Sequence, residues 1–216
     1  MSANREKQIA AEAAAELVED GMLVGLGTGS TVAYLLPAIA QRGLDLRCVA
    51  TSPQTEQAAR ELGLRVESFW GADALPRLDI AVDGADQVAP DGWLVKGGGA
   101  AHTREKGVAA AADRFVVIVS SDKLVERLSP PVPLELLEYG LAGTLRRLGP
   151  VELRDAPRSP DGGVIADYTG DFDDPAGLAT RLSATPGVVE HGLFPAAMVS
   201  DVVIGRGERV EIRALR

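Results

Sequence analysis

The segment MLVGLGTGST, residues 22–31, passes from an apolar run through three closely spaced glycines to the start of a helical pattern. A strand, a tight turn and a helix in this order are typical of one βα unit of a parallel sheet. Backbone N–H groups at such a turn, together with the positive end of the helix, favour a bound anion. The segment therefore predicts an α/β fold with an anion site at its first turn.

Two familiar nucleotide-binding loops do not fit residues 25–31. A Walker A loop ends in Gly-Lys-Ser/Thr, and a dinucleotide fingerprint has a glycine where Ser30 stands and an acidic residue where Thr51 closes the second strand. The hydroxyl groups favour a lone phosphate or a sugar over a nucleotide. A tight glycine turn in which Ser30 only caps the helix remains an alternative for this segment taken alone.

Strands and helices continue to alternate as far as residue 120. The expected strands are Met22–Gly27, Leu46–Thr51, Arg65–Trp70, Leu78–Val82, Trp93–Lys96 and Phe115–Val119, and the expected helices are Ser30–Gln41, Pro53–Leu62 and Thr103–Ala112. Because the strands are apolar without polar alternation, we expect a mostly parallel, Rossmann-like sheet with helices on both faces. Residues 1–21 read as a preceding amphipathic helix.

The rhythm changes after Ser129-Pro130-Pro131. Strands at 132–137, 151–154, 164–168 and 188–191, with helices at 139–148 and 175–184, give the order β-α-β-β-α-β of a small α+β, ferredoxin-like unit. The tail, 199–204 and 210–212, reads as two strands that return to the first sheet. We therefore predict a catalytic domain of residues 1–129 with 196–216, and a small domain of residues 130–195.

Composition limits the function. A net charge of −9 works against a broad surface for nucleic acid or for an anionic membrane. The one cysteine, Cys48, cannot form an internal disulfide, and with two histidines it leaves no pattern of a zinc site. No apolar run is long enough to suggest a membrane span. We expect a cytoplasmic protein with no metal or cofactor.

Asp83-Gly84-Ala85-Asp86 follows the apolar strand Leu78–Val82 directly. Ligands of open α/β sheets bind at the carboxyl ends of the strands, and two carboxylates facing one cavity can divide the roles of acid and base. An Asp-rich turn without function and a magnesium site are the alternatives.

The segment KGGGAAHTREK, residues 96–106, is the most informative one. Three consecutive glycines are costly in a regular element, so they indicate close approach to the backbone, and their N–H groups with Lys96 predict an oxyanion site. Glu105, in the first turns of the next helix, is the candidate base. Alternatively, Glu105 only provides a negative charge that interacts favourably with the N-terminal end of the helix dipole. His102 is a rival base but fits a packing or capping role better.

Lys123 follows the strand Phe115–Val119 across a Ser-Ser-Asp turn, where it could pair with a phosphate or be an ordinary surface lysine. Together, GLGTGST, VDGAD, KGGGAAHTREK and Lys123 resemble the A-type ribose-5-phosphate isomerase family in order and spacing. The resemblance covers nearly the whole chain, including GLF at 192–194. Gln87, where the family commonly has Glu, departs from it mildly, as do His102 and the Ser-Ser-Asp run.

The resemblance implies an aldose–ketose isomerase of the pentose phosphate pathway, working through an enediolate on a sugar phosphate as a homodimer or homotetramer. It implies that Glu105 is the base. It implies substrate contacts by Thr28, Gly29, Ser30, Thr31, Asp83, Gly84, Ala85, Asp86, Lys96, Gly97, Gly98, Gly99 and Lys123. A sugar-phosphate sensor domain is the rival from another class, but the chain has no room for a DNA-reading module before the first strand. An amino-sugar phosphate deaminase or a phosphogluconate lactonase is the rival among enzymes.

Overall fold

The computed structural model describes residues 3–215, so Met1, Ser2 and Arg216 of the predicted catalytic domain lie outside the described residues. Two compact units make up the chain. Unit 1 comprises the described residues up to Ala85, then Arg104–Leu124, and the residues from Ala197 onward; unit 2 comprises Asp86–Thr103 and Val125–Ala196.

The helices and strands follow the chain in this order: α1 Ala3–Ala15, β1 Leu23–Leu26, α2 Val32–Ala40, β2 Arg47–Ala50, α3 Pro53–Glu61, β3 Leu78–Asp83, β4 Gln87–Val88, β5 Leu94–Val95, α4 His102–Ala111, β6 Ala112–Ser120, β7 Val132–Leu136, α5 Leu141–Leu148, β8 Val151–Leu153, β9 Val164–Tyr168, α6 Pro175–Ser183, β10 Val188–His191, β11 Leu193–Phe194, β12 Asp201–Arg206 and β13 Arg209–Ala214. No helix among residues 3–215 is both long and apolar enough to cross a membrane.

Unit 1 contains a six-stranded sheet in the order β13-β12-β6-β3-β1-β2. Every neighbouring pair is parallel except β12 with β13, the antiparallel hairpin by which the tail returns. The predicted class, a mostly parallel α/β sheet, is confirmed. The parallel register places the carboxyl ends of β1, β3 and β6 at the same edge of the sheet.

Helices cover both faces of this sheet, and successive residues of a strand pack against the helices of one face and of the other in turn. Val24 and Leu26 of β1 belong to one apolar cluster with residues of α1, α2 and α3. Gly25, between them, points the other way, where a Cβ would lie 2.4 Å from Cγ1 of Val108 in α4. Glycine at this position lets α4 pack closely on the second face.

Two predicted strands of the main sheet are wrong. Residues 65–70 form only an isolated bridge, in which Val66 pairs with Cys48 of β2. The Trp70 side chain is 65% exposed, and its ring stacks on the Arg104 guanidinium at 4.9 Å instead of entering the sheet. Cys48 itself is fully buried, and burial raises the pKa of its thiol to about 12.

The strand expected at 93–96 exists in shorter form as β5, but it lies in unit 2 and not in the parallel sheet. It pairs antiparallel with β4 and β11 in a three-stranded sheet. The physical reason is the tight turn at residues 90–92, where Gly92 has φ +88°. A turn this short joins only antiparallel strands, whereas a parallel pair needs a long crossover.

Unit 2 also contains a four-stranded antiparallel sheet in the order β10-β7-β9-β8. With α5 and α6 it has the predicted ferredoxin-like order β-α-β-β-α-β. The helices share one apolar cluster with Leu134, Leu136 and Ala166 of this sheet. The domain bounds 1–129 with 196–216 and 130–195 remain a prediction; the compact units differ from them because Asp86–Thr103, residues 125–129 and Ala196 belong to unit 2.

Candidate functional site

The turn after β1 is fixed by the first aspartate of the DGAD segment. Asp83, at the end of β3, is 3% exposed, and its Oδ1 accepts hydrogen bonds from the N–H of Thr28 at 3.0 Å and of Gly84 at 2.7 Å. A Cβ on Gly27 would lie 2.0 Å from that same oxygen. Gly27 is therefore glycine because the Asp83 carboxylate occupies the space of a side chain.

Hydroxyl groups line the same turn. The Thr28 hydroxyl lies 2.7 Å from the Thr51 hydroxyl and 3.3 Å from that of Thr55, and Thr55 donates to the Gly27 carbonyl at 2.9 Å. Ser52 caps α3 by accepting the Thr55 N–H. Thr51 and Thr55, which were not among the predicted site residues, thus hold Thr28 in place.

Ser30 does not cap α2. The residue before the helix is Thr31, and its side chain makes no capping hydrogen bond. The Ser30 hydroxyl instead accepts a hydrogen bond from Nζ of Lys7 at 3.0 Å. A cation from α1 therefore lies at the turn. This arrangement fits a phosphate site better than it fits a turn in which Ser30 only caps the helix. Gly29, with φ +123°, allows the chain to make the turn.

Lys123 ends a 3₁₀ turn, Ser121–Lys123, that directly follows β6. Because β1 and β6 both flank β3, the ends of β1 and β6 are about 10 Å apart at the same sheet edge. The Lys123 side chain is one-third exposed and lies 3.9 Å from the Asp122 carboxylate. The structure thus places Lys123 at the predicted edge of unit 1.

Glu6 of α1 holds this turn to the β12–β13 hairpin. Its carboxylate accepts hydrogen bonds from the N–H of Gly207 at 2.8 Å and from the N–H and hydroxyl of Ser121 at 2.8 and 2.7 Å. The Gly207 N–H first, and then the two Ser121 donors, hold the pKa of Glu6 below its ordinary value. Glu6 is next to Lys7, so these bonds also fix the start of α1.

The lowered pKa makes a prediction about stability. The Glu6→Gln variant should lose about 1–2 kcal/mol of unfolding free energy at neutral pH, because the amide replaces three charge-assisted bonds imperfectly. A carboxylate with a depressed folded-state pKa stabilises above its unfolded-state pKa of about 4.5 and loses that effect as pH falls through the folded-state value. Urea unfolding of both proteins at several pH values should show the difference shrinking in acid.

Glu12→Gln is the matched control for this prediction. Glu12 is an exposed glutamate of the same helix that accepts a hydrogen bond from Gln8, and its replacement should change stability by less than about 0.5 kcal/mol. A deficit in Glu6→Gln that stays constant from neutral to acidic pH would contradict the proposed cause.

Glu105 lies in the first turn of α4 and is 4% exposed. The macrodipole of the helix favours a negative charge at this end. Burial, however, is unusual for a glutamate that serves only as helix charge, because such residues are normally solvated. Its burial sets Glu105 apart from such a residue, and its role as the base stays a prediction.

In unit 2, the second aspartate of the DGAD segment is bound by the glycine loop, residues 97–99. The N–H of Gly98 donates to Oδ2 of Asp86 at 2.8 Å, and a Cβ on Gly98 would lie 3.0 Å from Oδ1. Gly97 has φ +105°, and a Cβ there would lie 2.7 Å from Nδ1 of the fully buried His102. The loop amide of Gly98 is thus already aimed at a carboxylate oxygen.

Lys96 precedes the loop and is 2% exposed. Its N–H donates to the Gly192 carbonyl at 2.8 Å, and a Cβ on Gly192 would lie 2.1 Å from the Lys96 carbonyl oxygen. The Lys96 ammonium lies 5.4 Å from the centroid of the Phe194 ring. The GLF segment at 192–194 therefore has a physical role, since it packs against Lys96 and places an aromatic ring beside its charge.

The predicted site residues are divided between the two compact units. Unit 1 holds Thr28, Gly29, Ser30, Thr31, Asp83, Gly84, Ala85, Glu105 and Lys123, and unit 2 holds Asp86, Lys96, Gly97, Gly98 and Gly99. Lys7, which donates to Ser30, was not predicted as a site residue, because nothing in its sequence context separates it from a surface lysine. Within residues 3–215, no group of three or more His, Cys, Asp or Glu side chains is arranged to hold a metal ion.

Known proteins resemble this chain along nearly its whole length. A family model described as ribose 5-phosphate isomerase A (phosphoriboisomerase A) matches residues 47–209. A curated ribose-5-phosphate isomerase A from Natronomonas pharaonis is 44% identical in an alignment of 222 positions that covers 96% of each chain. A crystal structure of ribose 5-phosphate isomerase A from Neisseria gonorrhoeae has a TM-score of 0.93 and 31% identity, covering 100% of this chain and 98% of that one. A solved D-ribose-5-phosphate isomerase in complex with phospho-erythronic acid has a TM-score of 0.91 and 36% identity, covering 99% of this chain and 100% of that one.

Proposed function

Because the chain belongs to the ribose 5-phosphate isomerase A family, we propose that Glu105 is the base with which it carries out the family's proton transfer. The protein is an isomerase that interconverts ribose 5-phosphate and ribulose 5-phosphate, a reaction of the pentose phosphate pathway. The observation that carries the assignment of Glu105 is its burial in the first turn of α4, directly after the glycine loop.

The reaction moves hydrogen between neighbouring carbons. Once the furanose ring is open, which Asp83 or Asp86 assists, Glu105 takes the proton from C2. The electron pair of that C–H bond forms the C1=C2 double bond, and the carbonyl π pair moves to O1 as an oxyanion. A hydroxyl proton then passes from O2 to O1, and Glu105 returns its proton to C1 to give the ketose. One carboxylate serves both carbons.

The negative oxygen of the enediolate needs donors that are in place before the reaction. Lys96 supplies a full positive charge, and its burial beside Phe194 keeps that charge poorly screened by water. The amides of the glycine loop, Gly97–Gly99, add dipoles on the same segment. With these donors the reaction proceeds without a metal ion.

The phosphate of the substrate is assigned to unit 1. Thr28, Gly29, Ser30 and Thr31 provide hydroxyl and backbone donors at the start of α2. Lys7, which already donates to Ser30, and Lys123 provide the positive charge. Because the whole chain carries a net charge of −9, these local cations are important for holding an anion.

The first experiment is turnover of ribose 5-phosphate by the purified protein in excess chelator, followed by ketose absorbance. Turnover that is unchanged by the chelator is the expected result. Turnover that stops on chelation and returns with added divalent cation would contradict the metal-free mechanism.

We also propose a homodimer or homotetramer that works in the cytoplasm, for which light scattering after size-exclusion chromatography would give the subunit number.

A further inference from the structure

Arg154 follows β8 in unit 2 and reaches the glycine loop, 57 residues away in sequence. Its Nη1 donates to the carbonyl oxygens of Gly97 at 3.0 Å and Gly98 at 3.2 Å. The rest of the guanidinium forms a bidentate pair with Asp167 of β9, with both N···O distances 2.6 Å. One planar fork thus joins a carboxylate to two consecutive peptide groups of the loop.

The peptide between Gly97 and Gly98 is bound at both ends. Its carbonyl accepts from Arg154, while its N–H, that of Gly98, donates to Asp86. In a trans peptide these two bonds point in opposite directions, so fixing the carbonyl also fixes the direction of the N–H. A cation on the carbonyl polarises the peptide further and strengthens the bond that its N–H makes.

The antiparallel sheet of unit 2 supports both residues of the pair. The Arg154 backbone N–H donates to the Ile165 carbonyl of β9 at 3.0 Å, and Asp167 is two residues further along that strand, opposite Pro133 of β7. A Cβ on Gly97 would lie 2.9 Å from Cβ of Pro133. The side chains of Arg154 and Asp167 are only about one-fifth exposed. The loop therefore lies against this sheet and is held there by the ion pair.

We propose that the Arg154–Asp167 pair is a positioning element for the isomerase reaction, which aims the glycine-loop amides and, through Gly98, orients Asp86. The inference rests on the proposed function, since it gives Asp86 and the loop amides their chemical roles. Arg154 touches the backbone and Asp167, so it acts through the loop and is not a catalytic residue.

The test compares Arg154→Ala, Arg154→Lys and Asp167→Asn with the wild-type protein. Arg154→Ala should lower kcat about 10- to 100-fold, less than the loss of a direct oxyanion donor, with KM changed less than about threefold. Asp167→Asn should shift kcat in the same direction by less. Arg154→Lys should recover only part of the loss, because an ammonium keeps the charge but not the planar fork.

Arg158→Ala is the matched control. Arg158 lies four residues away in the same unit and pairs with the Glu138 carboxylate at 2.7 Å, where both side chains are exposed. It should keep the wild-type kcat. Equal kinetic losses in Arg158→Ala and Arg154→Ala, or a wild-type kcat in Arg154→Ala, would overturn the positioning role.

Amide hydrogen exchange of residues 97–101 supplies a readout that does not depend on turnover. Faster exchange in Arg154→Ala, with an unchanged melting temperature, is expected if the ion pair holds the loop. Unchanged exchange there would overturn the inference even in an active enzyme. Inactive wild-type protein whose loop exchange still rises in the variant would refute the proposed function and leave the positioning of the loop standing.

Discussion

The Glu105→Gln variant should lose turnover by about 10²- to 10⁴-fold, the range that a general base contributes. Glutamine has the size of glutamate but cannot accept a proton from carbon. Since Glu105 is buried, an amide of equal volume avoids a cavity and leaves the fold intact. The measurement is kcat for ribose 5-phosphate, together with the incorporation of deuterium at C1 of the product in D₂O, which the variant should not catalyse.

Glu56→Gln is the control for the alternative in which Glu105 is only helix charge. Glu56 also occupies the first turn of its helix, α3, but its side chain is half exposed and pairs with Arg60. Both variants should lose at most about 1 kcal/mol of stability through the helix dipole. Only Glu105→Gln should lose turnover; wild-type kcat in that variant would refute the assignment of the base.

The sequence predicted those parts of the fold that depend on residues near one another along the chain, such as the burial of a strand. The Val- and Ile-rich run of β6 has no polar alternation because α-helical layers cover both faces of its sheet. The sequence alone therefore predicted a strand that is buried on both faces. The strands that pair with β5 could not be predicted from its sequence. Its pairing is set by the short turn at Gly92 and by β11, which comes almost 100 residues later.

The candidate site divides in the same way. The glycines at 27 and 97–99 signal close approach to the backbone, but the sequence does not say what approaches. The structure identifies Asp83 as the neighbour of Gly27, and Asp86 and His102 as neighbours of the loop. Arg154 escaped detection because it acts on carbonyl groups, which carry no side-chain signature, across 57 residues of sequence.

The Gly27→Ala variant should lose both stability and activity, although one methyl group is the only change. A Cβ there would lie 2.0 Å from Oδ1 and 2.1 Å from Cγ of Asp83. The carboxylate has to move, and it then loses its bonds to the N–H groups of Thr28 and Gly84. We expect a loss of about 1–3 kcal/mol from overpacking and a fall in kcat/KM of about 100-fold or more from the displaced carboxylate.

Gly107→Ala is the control for adding a methyl group. Gly107 lies inside α4, and its Cβ would meet nothing within 4 Å, so the variant should gain about 0.5–1 kcal/mol from helix propensity. Turnover should stay at the wild-type level. Urea unfolding and steady-state kinetics on both variants make the comparison; a Gly27→Ala protein as stable and as active as wild type would contradict the crowding argument.

A double-mutant cycle separates crowding at Gly27 from any effect of the substitution on the backbone. If the Asp83 side chain is the obstacle, then Gly27→Ala should cost much less stability when Asp83 is already glycine, because that change also removes the Asp83 Cβ, which would lie 2.5 Å from the added methyl group. Strain in the turn itself would make the cost independent of Asp83. Gly29→Ala gives the contrasting case, since its Cβ would meet nothing within 4 Å but φ is +123°, and its cost should therefore persist in the Asp83→Gly background.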